Sequence, residues 1–397
     1  MHPGLGDAMR HRFGNLLHVA LLAGCVGPAW AEPGVSKDAI TVGAYDGLTG
    51  PIPLTGAQMQ TGWQTAVDEL NAAGGINGRR VRLLIEDDQY EPSRAVAAAR
   101  KLVERDDVFL MTGLGTPTTT VVARYLERAG VPLLFPMGAS ASQLNQAGLK
   151  GLFMAHPAYS SQSEAVIGWM IDQGGVKVPC QINQVDPAGE DHSAGYRRAV
   201  EKRGLPAIIE GTERGTMDFS AAVLKAKGAG CDMVYTGMPL ESSARVVTAA
   251  DRLGWHPKFV GFTTQADASL IRLLGPLAEG FHAAEITLPA DGGSAVVADF
   301  VAQLKKAHPG TPPTFFISYA YASMMLIAKA IRETPEPLTR KGVIATLEGW
   351  READGGLLGP ISFSPADHDG KKSLYIVEVQ GGRWRKVSDW ITPGPAK

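Results

Sequence analysis

The stretch DELNAAGGINGRRVRLLIED, Asp68–Asp87, joins two regular elements through a turn crowded with glycine. Met59, Trp63, Ala66, Val67 and Leu70 recur at helical spacing, which predicts an amphipathic helix over Gly56–Ala72 with one buried face. Gly74 and Gly75 can close that helix in the left-handed conformation, and Asn77-Gly78 adds a tight turn. The segment RRVRLLIE then runs apolar without helical spacing and stops at Glu86-Asp87-Asp88, as a buried strand reaching the surface does. AITVGA, Ala39–Ala44, precedes the helix as another apolar strand, so the unit is strand–helix–strand.

The same alternation continues to about Pro289. Strands are expected at 40–44, 81–86, 108–112, 131–135, 178–185, 206–211, 232–237, 258–262 and 281–287, with helical patterns between most of them. Alternation of this kind builds parallel sheets covered on both faces, and the fold class is α/β. Two sheets fit, one ending near Pro136 and the other beginning near Val178, with Phe153–Ser163 as a crossing between them. At 397 residues the chain has the length of two domains. Three helical segments follow, near 294–307, 315–333 and 340–349. A terminal hairpin, LYIVEV and RWRKV around Gly381-Gly382, closes the chain.

The first 31 residues have the form of a secretory signal: Arg10, His11 and Arg12, then the apolar run Leu16–Gly24, then Ala29-Trp30-Ala31 as a cleavage site. A second reading takes Leu22-Ala23-Gly24-Cys25 as a lipoprotein box with Cys25 lipidated; the cleavage reading is preferred because it is complete without lipid. No later apolar run has the length of a transmembrane segment, and the segment Tyr319–Ile331 is interrupted by Lys329. A formal net charge of −2 and the absence of a basic stripe give no nucleic-acid partner. Cys180 and Cys231 remain after export, on strands expected to be neighbours; we read them as buried free thiols, with a disulfide as the alternative.

In open α/β sheets ligands sit beyond the carboxyl ends of the strands, so the loops there carry the candidate site. GLGTPTTTV, Gly113–Val121, places Thr116 as a helix N-cap and Pro117 as the first helical residue, leaving free N–H groups beside hydroxyls, which suits a carboxylate. Its Gly113-x-Gly115 fails as a dinucleotide loop, because Thr118 takes the third glycine's place and no acid ends VPLLF; no cofactor is expected. The loops PMGASAS, DPAGED, MPLES and TTQAD offer small residues and hydroxyls, with no arginine or lysine among them. Glu241 opens the helix LESSARVVTAADRL and is the acid placed to hold an ammonium group. One anion site and one acid suit a small zwitterion or a polar neutral solute. No nucleophile elbow or P-loop occurs, and His156 and His192 read as isolated loop residues, so no enzyme is expected. Glu86-Asp87-Asp88 reads as a solvated acidic turn rather than a metal site, and Asp367-His368-Asp369 as turn chemistry.

The segment VDELNAAGGINGRRVRLLIEDDQYEPSRAVAAARKLV resembles the periplasmic binding proteins of the leucine/isoleucine/valine class that serve ABC importers. The likeness extends through LTGPIPLTG, INQVDPAGEDHSAGY, DFSAAVLKAKGAGCDMVYTG, LAEGF and GPISFSPADHDGKKSLYIVEV, in order and spacing. It implies the type I periplasmic binding fold: two Rossmann-like lobes, 32–155 plus 283–352 and 156–282 plus 353–397, joined by a three-segment hinge with the ligand cleft between them. It further implies a monomeric, exported receptor in the periplasm with an inner-membrane permease partner, or, alternatively, a soluble sensing subunit of the same fold. Thr116 falls on the family's carboxylate-holding hydroxyl, Gly138, Ala139 and Ser140 on the neighbouring contact loop, and Glu241 on the acid that takes an ammonium group. Thr55 and Ala188 stand where branched-chain binders carry pocket tyrosines, which widens the pocket and leaves the solute itself open.

Overall fold

The computed structural model describes residues 32–138, 148–289 and 293–393. The first sheet is wholly parallel, in the order β2-β1-β3-β4-β5: β1 Ala39–Asp46, β2 Arg80–Asp87, β3 Leu110–Gly113, β4 Leu133–Leu134 and β5 Leu152–Phe153. The helix between β1 and β2 runs Pro53–Ala72, a turn earlier than its apolar spacing predicts, because Pro53 supplies a pre-set first helical residue. Behind it Gly74 and Gly75 take φ of 94° and 83°, and the Gly75 amide donates to the Leu70 carbonyl, as the glycine run leads one to expect. β4 and β5 hold two residues each, and β5 ends at Phe153, the first residue of the segment expected to be a crossing.

The second sheet has the order β14-β13-β10-β9-β8-β6-β7. β6 Pro179–Gln184, β7 Ile209–Thr212, β8 Met233–Gly237, β9 Lys258–Gly261 and β10 His282–Glu285 pair in parallel. The hairpin β13 Tyr375–Gln380 and β14 Arg383–Lys386 adds two antiparallel strands, turning at Gly381 and Gly382 with φ of 59° and 70°. A small antiparallel pair, β11 Ala353–Asp354 and β12 Pro360–Ile361, stands apart. Because β10 stays in the second sheet, residues 283–285 belong with that sheet and not with the first, where the expected boundary put them. The turn Gly356–Leu358, expected with the second lobe, packs instead against the helix Phe315–Glu333.

That long helix lies along the helix Pro53–Ala72 and returns the chain to the first sheet's side. Gly62 makes the close crossing possible, since a Cβ there would lie 2.3 Å from the Ile317 carbonyl oxygen. The passages between the two sheets are tied to one another. The Met154 amide donates to the His368 carbonyl at 2.9 Å and the Gly370 amide to the Met154 carbonyl, while the Leu288 amide donates to the Leu357 carbonyl at 2.7 Å. His368 stacks on Phe153 at 3.8 Å and reaches Glu348 through Nε2, so the Asp-His-Asp turn serves the join between sheets.

Cys180 on β6 and Cys231 just before β8 form a disulfide with Cα atoms 5.9 Å apart, which corrects the free-thiol reading. β6 and β8 are direct neighbours, and that adjacency supplies the approach a bridge needs. The expected signal, with Cys25, lies outside the described residues.

Candidate ligand-binding site

A cavity of about 60 Å³ lies where the strand ends of the two sheets face each other. The first sheet contributes Ile52 and Thr55 after β1, Tyr90 after β2, Gly115 and Thr116 after β3, and Gly138 after β4. The second contributes Asp186, Ala188 and His192 after β6, Met238 and Leu240 after β8, and Phe262 and Thr264 after β9. Tyr159, the first residue of the helix Tyr159–Asp172, and Phe316 complete the wall. A volume of this size admits a few water-sized groups, so the site in this form is shaped for a small solute.

The loop after β3 owes its shape to glycine. Gly115 has φ of 102°, and a Cβ there would meet the Tyr90 ring and the Thr118 hydroxyl, each at 2.7 Å. The loops after β3 and β4 are bonded to each other, the Gly115 amide donating to the Met137 carbonyl and the Met137 amide to the Gly113 carbonyl, both at 2.8 Å. Gly138 permits that contact, since its Cβ would lie 2.9 Å from the Thr116 amide nitrogen.

Gly115, and not Thr116, is the N-cap of the helix Thr116–Ala129, so Thr116 occupies the first helical position. Its hydroxyl is thereby released from capping and lies 3.4 Å from the Tyr159 hydroxyl. The other threonines turn away: Thr118 and Thr120 donate to the backbone carbonyls of Leu114 and Thr116. Of the hydroxyls expected to face a carboxylate, Thr116 is the one lining the cavity. Gly138 also lines it, while Ala139 and Ser140 lie outside the described residues.

Glu241 sits in the first turn of the helix Leu240–Arg252. It is not among the residues lining the cavity, but its carboxylate accepts from the lining residue Thr55 of the other side, from the hydroxyl at 3.2 Å and 3.3 Å and from the amide at 3.4 Å. Burial raises its pKa above the usual glutamate value, opposed first by its own backbone amide, then by the Thr55 bonds and the Arg245 charge. Two positions read separately from the sequence, Thr55 and Glu241, are thus brought together. Further bonds bridge the sides: the Gln58 amide group donates to the Ser269 hydroxyl at 3.1 Å, and Arg214 pairs with Glu91 at 3.1 Å. Ala188 lines the cavity as an open methyl-sized wall.

His192 and His156 correct the reading that set them aside. His192 lies within the helix Pro187–Glu201, and both rings are buried beside Tyr159, which stacks on His192 at 4.6 Å and on His156 at 5.4 Å. Burial lowers the pKa of His156 to about 4 and, with His156 nearby, that of His192 to about 3, so both imidazoles are neutral. No sequence pattern joins residues 156, 159 and 192; their meeting needs the crossing segment and β6 side by side. The acids at the strand ends act structurally. Asp186 caps its helix by accepting from the Gly189 amide at 2.9 Å, and Asp87 accepts from the Leu48 and Gln89 amides and from the Thr49 hydroxyl.

Two sheets meeting at their carboxyl ends around a shared cavity, joined by repeated passages of the chain, define a two-lobed solute-binding protein of type I. The chain belongs to the periplasmic binding protein family, whose model matches residues 39–383. It is 26% identical to the Leu/Ile/Val-binding protein of Escherichia coli over 328 residues, 81% of this chain and 87% of that one. It is equally identical, at 26% over 331 residues, to a Pseudomonas aeruginosa leucine-, isoleucine-, valine-, threonine- and alanine-binding protein, covering 83% of this chain and 88% of the relative. The structure of a possible leucine/isoleucine/valine-binding protein from Rhodopirellula baltica superposes with a TM-score of 0.81 at 22% identity, over 88% of this chain and 96% of that one.

Proposed function

We propose that the chain is an exported receptor that closes two lobes on a small polar solute, an amino acid in the first instance, and delivers it to an inner-membrane ABC permease. The observations that support this reading are Thr116, which lines the cavity at the positive end of a helix, and Glu241, a half-buried carboxylate that reaches the cavity wall through the neutral donors of Thr55. Helix N-termini favour carboxylates, and a half-buried carboxylate whose cross-lobe partners are neutral favours an ammonium group. The lobes meet in a closed form through Thr55–Glu241, Gln58–Ser269 and Glu91–Arg214, bonds that an open form would exchange for water. Residues 1–31 act as the export signal, the mature chain works in the periplasm as a monomer, and it performs no catalysis. The names of the relatives, which bind branched-chain amino acids and in one case threonine and alanine, agree with this solute class.

Thermal unfolding of the mature chain against amino acids, amides, urea and aromatic carboxylates tests the reading. A solute present at a thousand times its dissociation constant stabilises the folded state by about 4 kcal/mol. A shift confined to amino acids supports the Thr116–Glu241 clamp. A shift only with solutes lacking an ammonium group overturns Glu241's role, and no shift with any of them removes these solute classes.

A further inference from the structure

His192 is fully buried, lines the cavity, and has one ring nitrogen without a partner. Its Nδ1 lies 2.9 Å from the Tyr235 hydroxyl, so Nε2 is the nitrogen left over. The ring is held by Tyr159 on one face, at 4.6 Å with planes 17° apart, and by Phe262 at 4.2 Å, so it has little freedom to turn away. Four residues earlier on the same helix stands Ala188, and positions i and i+4 share a helix face. Ala188, like His192, lines the cavity, and its methyl group reaches no further than Cβ. Thr264, on the same side of the cavity, likewise has a buried hydroxyl without a partner.

Buried polar atoms are nearly always hydrogen-bonded, and leaving one unpaired is costly. Two such atoms on one wall of a solute cavity point to a polar group on the solute. The neutral imidazole offers no counter-charge, and the acid on the same wall, Asp186, is already engaged by the Gly189 amide and the Gln184 side chain, so an uncharged group is the better match there. A hydroxyl fits best, since it donates and accepts and so satisfies either tautomer of His192.

We propose that His192 Nε2 and the Thr264 hydroxyl form a polar subsite that selects solutes bearing a hydroxyl group over their hydrocarbon counterparts. This rests on the receptor reading given above but not on the identity of the group held by Glu241.

The test is calorimetric titration of the purified protein with two matched pairs, L-threonine against L-valine and 4-hydroxybenzoate against benzoate. The members of each pair differ by a hydroxyl in place of a methyl group or a hydrogen. The expected result is that the hydroxylated member of a binding pair binds at least about tenfold tighter, and that His192→Phe, which keeps a stacking ring, brings the two members to within about twofold. Should His192→Phe fail to fold, Thr264→Val gives the same comparison, with the ratio expected to fall by several-fold. Equal binding of both members of every pair that binds, or a preference unchanged in the variant that folds, overturns the subsite. Binding of none of the four probes overturns it as well. The two readings fail differently. Hydroxyl preference within the benzoates alone keeps the subsite and removes the amino-acid clamp. Equal binding of threonine and valine, both weakened by Glu241→Gln, keeps the clamp and removes the subsite.

Discussion

Replacing Glu241 by glutamine isolates one charge at the centre of the proposed clamp. The carboxylate's partners on the opposite lobe are the Thr55 hydroxyl, at 3.2 Å and 3.3 Å, and the Thr55 amide, at 3.4 Å. These are long, neutral contacts, and the amide oxygen of glutamine can accept them as well, so Glu241→Gln leaves the cross-lobe contact in place. What disappears is the negative charge offered to an ammonium group. Hydrogen bonds to charged groups contribute about 1.5–3 kcal/mol, and at 1.4 kcal/mol for each factor of ten the affinity for an amino acid should fall by about ten- to 150-fold. The assay is isothermal titration of both proteins with an amino acid that stabilises the wild type and with its 2-hydroxy acid analogue, which has no ammonium group. The loss should be confined to the amino acid. Equal loss for both, or none for either, refutes the assignment of Glu241 as the ammonium acceptor. Burial raises this carboxyl's pKa, so lowering the pH neutralises it sooner than a surface glutamate; amino-acid affinity of the wild type should decline toward acid, and that of Glu241→Gln should not follow.

Three further outcomes follow from the fold. The Cys180–Cys231 bridge spans 51 residues; on the chain-entropy account, removing it by paired alanine substitution should lower stability by about 4 kcal/mol, and an unchanged urea midpoint would contradict a formed bridge. Gly62→Ala forces a methyl against the Ile317 carbonyl where two long helices cross, and should cost about 1–3 kcal/mol in thermal unfolding; full stability would mean that the helices are further apart. Asp88 is buried, accepts from the Tyr90 amide at 2.7 Å, and has its pKa raised to about 7 by desolvation. Between an unfolded value of about 4 and that folded value the native state holds a proton the unfolded chain has released, so Asp88 costs stability progressively as pH rises through this window. Asp88→Asn should therefore gain on the wild type between pH 4 and 7.5, by an amount on the order of 4 kcal/mol, as read from denaturation at each pH. A pH-independent difference would show that Asp88 titrates normally.

The closed arrangement ties function to stability. Thr55–Glu241, Gln58–Ser269 and Glu91–Arg214 join the two sides of the cavity. In a receptor of this kind, every bond that closes the lobes without a solute reduces the share of the closing free energy that the solute itself can supply. Long neutral contacts at Thr55–Glu241 are consistent with a weak preference that a ligand can override.

Much of the molecule is legible in one dimension because helix and strand periods are local. The glycine pair at 74–75, the hairpin at Gly381-Gly382 and the helix Phe315–Glu333 all fall where residue type and spacing put them. The α/β alternation also locates the site at the strand ends, and so brings Thr116, Gly138 and Glu241 into consideration. The rest depends on neighbours far along the chain. β4 and β5 hold two residues each and exist as strands only through pairing with each other and with β3. Thr116 gives up the capping position because Gly115 takes a positive φ against Tyr90, 25 residues earlier in the sequence. Cys180 and Cys231 meet because β6 and β8 are adjacent, with β7 on the outer edge. His192 reads in sequence as an isolated loop residue; only the packing of the Tyr159 helix against its own makes it a buried, neutral wall of the cavity. Local spacing records which face of an element is buried, but not which distant side chain shares that burial, and polar chemistry depends on the second.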